Sequence, residues 1–143
     1  MKKFLLPIIA SFVLLSGCSE KAHIITDYYK VHNNQWQPSV TLNGDGTYTT
    51  DYYYSEWEDI NITGEVIDNG VVLVYYIDAD GRDNLLPYTL YMQDPQSGAL
   101  YQERIEYDIE VGKITFKVKT SDFGPTSINN GTMTFKVSVI SNY

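Results

Sequence analysis

Two stretches in the last third of the chain constrain its fold more than any other feature. Ile105, Tyr107 and Ile109 alternate with Arg104, Glu106, Asp108 and Glu110, and Ile114, Phe116 and Val118 alternate with Thr115, Lys117 and Lys119. A period of two puts successive side chains on opposite faces of a strand, so each stretch reads as a strand with one apolar and one charged face. Gly112-Lys113 lies between them, the Gly-X form suited to a two-residue hairpin turn. In that hairpin the acidic outer face of one strand meets the basic outer face of the other. Such cross-strand pairs contribute only about 0.2–1 kcal/mol each, but they favour the register that the buried faces also favour. The apolar face needs a second layer to cover it.

The same grammar recurs along the chain. Residues 31–42 contain Trp36 and the Val40/Leu42 alternation, Asn43-Gly44-Asp45-Gly46 is a dense turn signal, and residues 47–54 put Tyr48, Tyr52 and Tyr54 on one face with Thr47, Thr49, Asp51 and Tyr53 on the other. Ile60, Ile62 and Val66 fit a strand, while Thr63-Gly64-Glu65-Val66 fits a helical turn capped by Thr63 equally well. Asp68-Asn69-Gly70 reads as a turn, and Val71 to Ile77 is apolar on both faces, as a central strand covered on two sides would be. Pro87 places Leu85-Leu86-Pro87-Tyr88 at an edge or bulge. After a Gly, Pro, Ser and Asn-rich loop over residues 121–131, Met133, Phe135, Val137 and Val139 form the last strand. About seven to nine short strands and no long amphipathic helix predict a single antiparallel β-sandwich, immunoglobulin-like or jelly-roll-like.

The first residues follow a different rule. Met1-Lys2-Lys3 is basic and residues 4–15 are mostly apolar, a secretory signal too short for a spanning helix of roughly 20 residues. Leu15-Ser16-Gly17-Cys18 resembles the lipobox of bacterial lipoproteins, which implies removal of residues 1–17 and diacylglycerol on the thiol of Cys18. The expected organisation is a signal at 1–17, a lipidated Cys18 with a tether over 18–26, and a β-sandwich over 27–143. Ser19 behind the cysteine resembles an outer-membrane address, with the periplasmic or surface side left open.

Removing 17 of 143 residues leaves 126, enough for one domain with one core. Taking Lys2 and Lys3 from the 10 basic residues leaves 8 against 18 acidic ones, a net charge of −10 that repels phosphate backbones and argues against nucleic acid as a partner. With its one cysteine acylated, the chain has no thiol for a disulfide, a metal site or a nucleophile.

Asp68-Asn69-Gly70-Val71-Val72-Leu73-Val74-Tyr75, Leu86-Pro87-Tyr88 and Phe135-Lys136-Val137-Ser138-Val139-Ile140 together resemble a set of small Bacteroidetes lipoproteins of unassigned biochemical function. These are core and turn residues. The resemblance therefore implies a β-sandwich lipoprotein and transfers no catalytic residue.

Candidate chemistry is sparse. His23 and His32 belong to no catalytic motif, and Glu56, Glu58 and Asp59 around Trp57 are the one arrangement suggesting a small glycoside hydrolase, which needs two carboxyls at a set separation. Asp78, Asp80 and Asp83 lie in a loop with the flavour of a calcium site, but it is short, lacks a distal glutamate and holds Arg82, so a plain turn is preferred and no metal or cofactor is expected. The aromatic run Tyr52-Tyr53-Tyr54 with Trp57 is the best binding candidate, with Tyr53 or Trp57 expected to carry an exposed sugar platform. The expected function is a membrane-anchored, non-catalytic binding or structural module of the envelope, its partner a glycan or an envelope protein. A glycan-binding accessory lipoprotein is the first alternative and a small hydrolase the second.

Overall fold

The computed structural model describes residues 21–121, 126–129 and 131–142. The segment expected to be a signal, residues 1–17, and Cys18 lie outside them. The elements follow in order: β1 (Ala22–His32), a single 3-10 turn (Asn33–Gln35), β2 (Gln37–Leu42), β3 (Tyr48–Glu58), α1 (Gly64–Asn69), β4 (Val71–Ile77), β5 (Asp83–Leu85), β6 (Tyr88–Gln93), β7 (Leu100–Glu110), β8 (Lys113–Thr120), α2 (Thr126–Asn129) and β9 (Thr132–Asn142). They form two antiparallel sheets, one ordered β1-β9-β4-β5 and the other β2-β3-β8-β7-β6. This is the all-β sandwich that the alternation predicts. Among the described residues no helix is long and apolar enough to cross a membrane.

The β7–β8 hairpin sets the register of the larger sheet. Ile105, Tyr107 and Ile109 face Val118, Phe116 and Ile114, while Glu106 faces Lys117 and Glu110 faces Lys113 on the outside. Phe116 stacks on Phe135 of the smaller sheet, with ring centroids 4.1 Å apart and planes 10° from parallel. Trp36 closes one end over Phe135 and is itself buried. β4 is interior to its sheet as expected, but only Val72 and Val74 are buried. Val71 is exposed, and Tyr75 lies under the Lys136 ammonium on the outer face, so the two-sided apolar run marks a strand covered on one side only.

Two readings of the sequence change. The tether expected over 18–26 is shorter, because β1 begins at Ala22 and residues 22–26 pair with β9. The β-branched Ile24, Ile25 and Thr26 favour a strand once β9 offers a partner. Asp68 and Asn69, expected in a turn, end the helix α1 instead: Thr63 caps it, its hydroxyl accepting the Val66 N–H at 3.2 Å. Gly70 follows because a Cβ there would lie 2.6 Å from the Ile140 carbonyl oxygen. Pro87, as expected, sits at a corner, where the chain crosses from β5 at the edge of one sheet to β6 at the edge of the other.

β3 outruns its partner. It pairs with β8 only from Tyr53 to Glu58, whereas its first half pairs with β2 alone. The β2–β3 hairpin thus projects past the end of β8 as a two-stranded arm. Its turn holds through Asn43, whose N–H donates to the Thr47 carbonyl at 2.8 Å and whose side-chain amide donates to the Thr47 and Thr49 hydroxyls.

Candidate functional site

β3 decides which rings face solvent. Tyr53, Ser55 and Trp57 pair with Val118, Phe116 and Ile114, all core residues, so their side chains turn inward. Tyr53 and Trp57 pack against the core. Trp57 meets Tyr29 edge to face at 5.6 Å, and its indole N–H donates to the Ser55 hydroxyl at 3.0 Å. The expectation that Tyr53 or Trp57 carries a flat exposed platform is therefore corrected: strand parity turns both toward the core, where each is half-buried.

The outward rings are Tyr52 and Tyr54; Tyr48, expected on the same face, is turned to the other one by the register shift between Ser39 and Val40. Tyr52 and Tyr54 meet edge to face with centroids 6.2 Å apart, Lys117 lies 5.1 Å above the Tyr52 ring, and the Tyr54 hydroxyl donates to Gln37 at 3.2 Å. Lys117 is also paired with Asp108, and that bond is the first cause of its raised pKa. These groups border a hollow of about 300 Å³ on the outer face of the larger sheet, with Ser39, Glu56 and Thr115 offering further polar atoms. A second hollow of about 370 Å³ adjoins it, sharing Tyr54 and Glu56 and bounded by Gln35, Gln37 and the edge of Trp57. A third, of about 340 Å³, shares Glu56 and Trp57 and runs on to Gly112 and Lys113. Together they follow β3 from Tyr52 to Glu58, about 20 Å at strand rise. Half-buried aromatic rings flanked by hydroxyls, amides and carboxylates can stack on a sugar and hydrogen-bond its hydroxyls.

The proposed carboxylate pair of a hydrolase is not assembled. Glu56 and Glu58 are exposed on the outer face, Glu56 bonded to Lys113 at 3.3 Å, while Asp59 is buried on the other side of the strand. Asp59 accepts the Tyr29 hydroxyl at 2.7 Å and the Asn61 N–H at 3.0 Å, and Asn61 donates in turn to Asp27 at 3.0 Å. Burial first, then the Asp59 bond and the Asp59 and Asp27 charges, push the Tyr29 hydroxyl well above its ordinary pKa of 10.0. His23 and His32 stand at opposite ends of β1, roughly 30 Å apart at strand rise, and His32 Nδ1 shares a hydrogen bond of 2.8 Å with Thr132.

Asp78, Asp80 and Asp83 do not converge either. Asp78 accepts the Arg82 N–H, the Asn84 side-chain amide and the Asp80 N–H, and these bonds, the Arg82 one first, hold its carboxyl below the usual range. Asp80 pairs with Arg82, and Asp83 with Lys136. Among the described residues no group of His, Cys, Asp and Glu is placed to hold a metal ion.

Sequence reasoning missed the buried acids. Glu103 is fully buried and takes the Ser127 N–H at 3.2 Å, tying α2 to β7. Its parity with Ile105, and that of Asp59 with Trp57, was the available signal. Comparison with known proteins adds no further constraint: neither the scan of family models nor the searches of curated proteins and of solved structures finds a match.

Proposed function

We propose that the protein is a lipid-anchored, non-catalytic binding module of the cell envelope, held at Cys18 in the outer membrane, whose ligand surface is the outer face of the larger sheet along β3. The observation that carries this reading is the chain of three hollows bordered by Tyr52, Tyr54 and the Trp57 edge. Glu56, Glu58, Asp108 and Glu110 outnumber Lys113 and Lys117 there, which disfavours an acidic ligand. A neutral oligosaccharide fits best, since it presents apolar ring faces and hydroxyls in alternation along an extended chain. The lipobox supports the anchor, Ser19 behind the cysteine the outer-membrane address, and the Bacteroidetes resemblance the same class of lipoprotein.

A glycan-array screen of the protein with Tyr54→Ala and Trp57→Ala variants tests the ligand. Binding to neutral glycans lost in Tyr54→Ala and weakened in Trp57→Ala supports the reading. Silence across neutral glycans, or binding that both variants retain, removes the sugar-binding assignment of this face.

A further inference from the structure

Five aliphatic side chains stand in solvent around one end of the sandwich. Ile60 is 86% exposed and Val111 68%, and Ile24, Ile67 and Val71 are exposed as well. The fold makes them neighbours. The Asp59 N–H donates to the Gly112 carbonyl at 2.9 Å and the Gly112 N–H to the Ile62 carbonyl at 2.7 Å, which laces the loop of Ile60 to the turn of Val111. That loop enters α1, which carries Ile67 and runs into Val71 through Gly70 alone. Val71 pairs with Ile140, and Ile140 with Ile24, so these three form a row across β4, β9 and β1 on the outer face. Single exposed aliphatics are ordinary, but a connected set around one end marks a contact surface.

It is also the end where the chain arrives from Cys18. β1 starts at Ala22, so only residues 19–21 intervene, and four Cα steps reach at most about 14 Å. An acylated Cys18 sits at the headgroup level, so a link that short holds the start of β1 against the bilayer. The β2–β3 arm points the other way: Glu58 at the far end of β3 precedes Asp59, which is fixed to Tyr29 in β1, while Gln37, beyond the end of β1, pairs with Tyr54.

We propose that this end is a membrane seat, with Ile60 and Val111 entering the headgroup–acyl boundary of the bilayer and Ile24, Ile67 and Val71 lying at its level. The inference rests on lipidation at Cys18. Glu58, Glu65, Asp68 and Glu110 outnumber Lys21 and Lys113 at this end, so aliphatic burial, not attraction to anionic headgroups, holds the seat, and high salt leaves it in place. The seated domain stands with the tyrosine face upright along its side and the arm directed outward.

Cys18 is the only cysteine, so a second one introduced into the acylated chain takes a nitroxide label uniquely. Ile60→Cys, Val111→Cys and Leu42→Cys, each at an exposed site, are labelled in the full lipidated protein in phosphatidylcholine vesicles. The expected result is relaxation by oxygen over a nickel chelate at positions 60 and 111, the reverse at position 42, and no change in high salt. Equal access of the nickel chelate to all three labels overturns the seat while leaving the anchor intact. An intact-mass measurement showing Cys18 unacylated overturns the anchor reading itself, and the seat with it.

Discussion

The β7–β8 hairpin turns at Val111-Gly112 beside α1, and the β2–β3 hairpin turns at Asn43-Gly44-Asp45-Gly46 at the other end of the same sheet. Both use glycine at positive φ, +75° at Gly112 and +83° at Gly46. Their surroundings are opposite. The inward residues of β7 and β8 are Ile, Tyr, Phe and Val, and they face the smaller sheet. Past the register shift between Ser39 and Val40, the positions in the arm that share the face of Pro38 and Tyr53 are Val40, Leu42 and Tyr48, yet these stay 52%, 60% and 71% exposed. Turn chemistry thus decides that two strands pair, while cover from across the sandwich decides whether the pair joins the core. A two-stranded ribbon is marginal by itself, so the arm opens without unfolding the sandwich.

Truncation in the core separates the two hairpins most strongly. Phe116→Ala removes a fully buried ring stacked on Phe135 and is expected to cost about 3–5 kcal/mol in urea unfolding, whereas Tyr48→Ala in the arm changes stability by no more than about 0.5 kcal/mol. A comparable loss for Tyr48→Ala would break the distinction.

The loop that braces the β7–β8 turn depends on a buried carboxylate. Asp59→Ala leaves the Tyr29 hydroxyl and the Asn61 N–H without their acceptor and is expected to cost about 2–3 kcal/mol in the same assay. Tyr29 supplies the pH signature. Its folded pKa is raised above the ordinary 10.0, so its contribution is complete below pH 10.0 and declines as pH rises beyond it. Tyr29→Phe is less stable at neutral pH but flattens the alkaline slope, and an unchanged slope would show that Tyr29 is not its source.

The smallest contrast compares the two glycines. Gly112→Ala forces a Cβ into the left-handed region within the packed hairpin and is expected to lower stability by about 1–2 kcal/mol. Gly46→Ala meets the same strain, but the arm frays instead: the urea midpoint stays in place and amide exchange at residues 48–50 accelerates. A lowered midpoint for Gly46→Ala would join the arm to the core.

Most of the strand pattern was legible because alternation and turn residues are local signals. Ile105 to Ile109, Ile114 to Val118 and Met133 to Val139 point as their spacing predicts. Burial on the outer side was not legible, because it depends on what lies across the sheet: β4 is apolar on both faces, yet Val71 on its outer face stays 49% exposed. The site was half legible. Tyr52, Tyr53 and Tyr54 alternate as expected, but a bulge turns Tyr48 to the other face, and the aromatic density around Trp57 drew attention to the rings that face the core. Only the pairing of β3 with β8 identifies Tyr52 and Tyr54 as the outward ones. Non-local contacts likewise place Ile60 beside Val111, residues 51 positions apart in sequence.

Native-state hydrogen exchange across a urea series tests most directly whether the arm is independent of the core. The amides of residues 114–118 are expected to exchange only through global unfolding, with a full urea dependence, while those of residues 40–42 and 48–51 exchange through local opening with almost none. A single urea-dependent opening shared by both hairpins would contradict the account, making the arm part of the core.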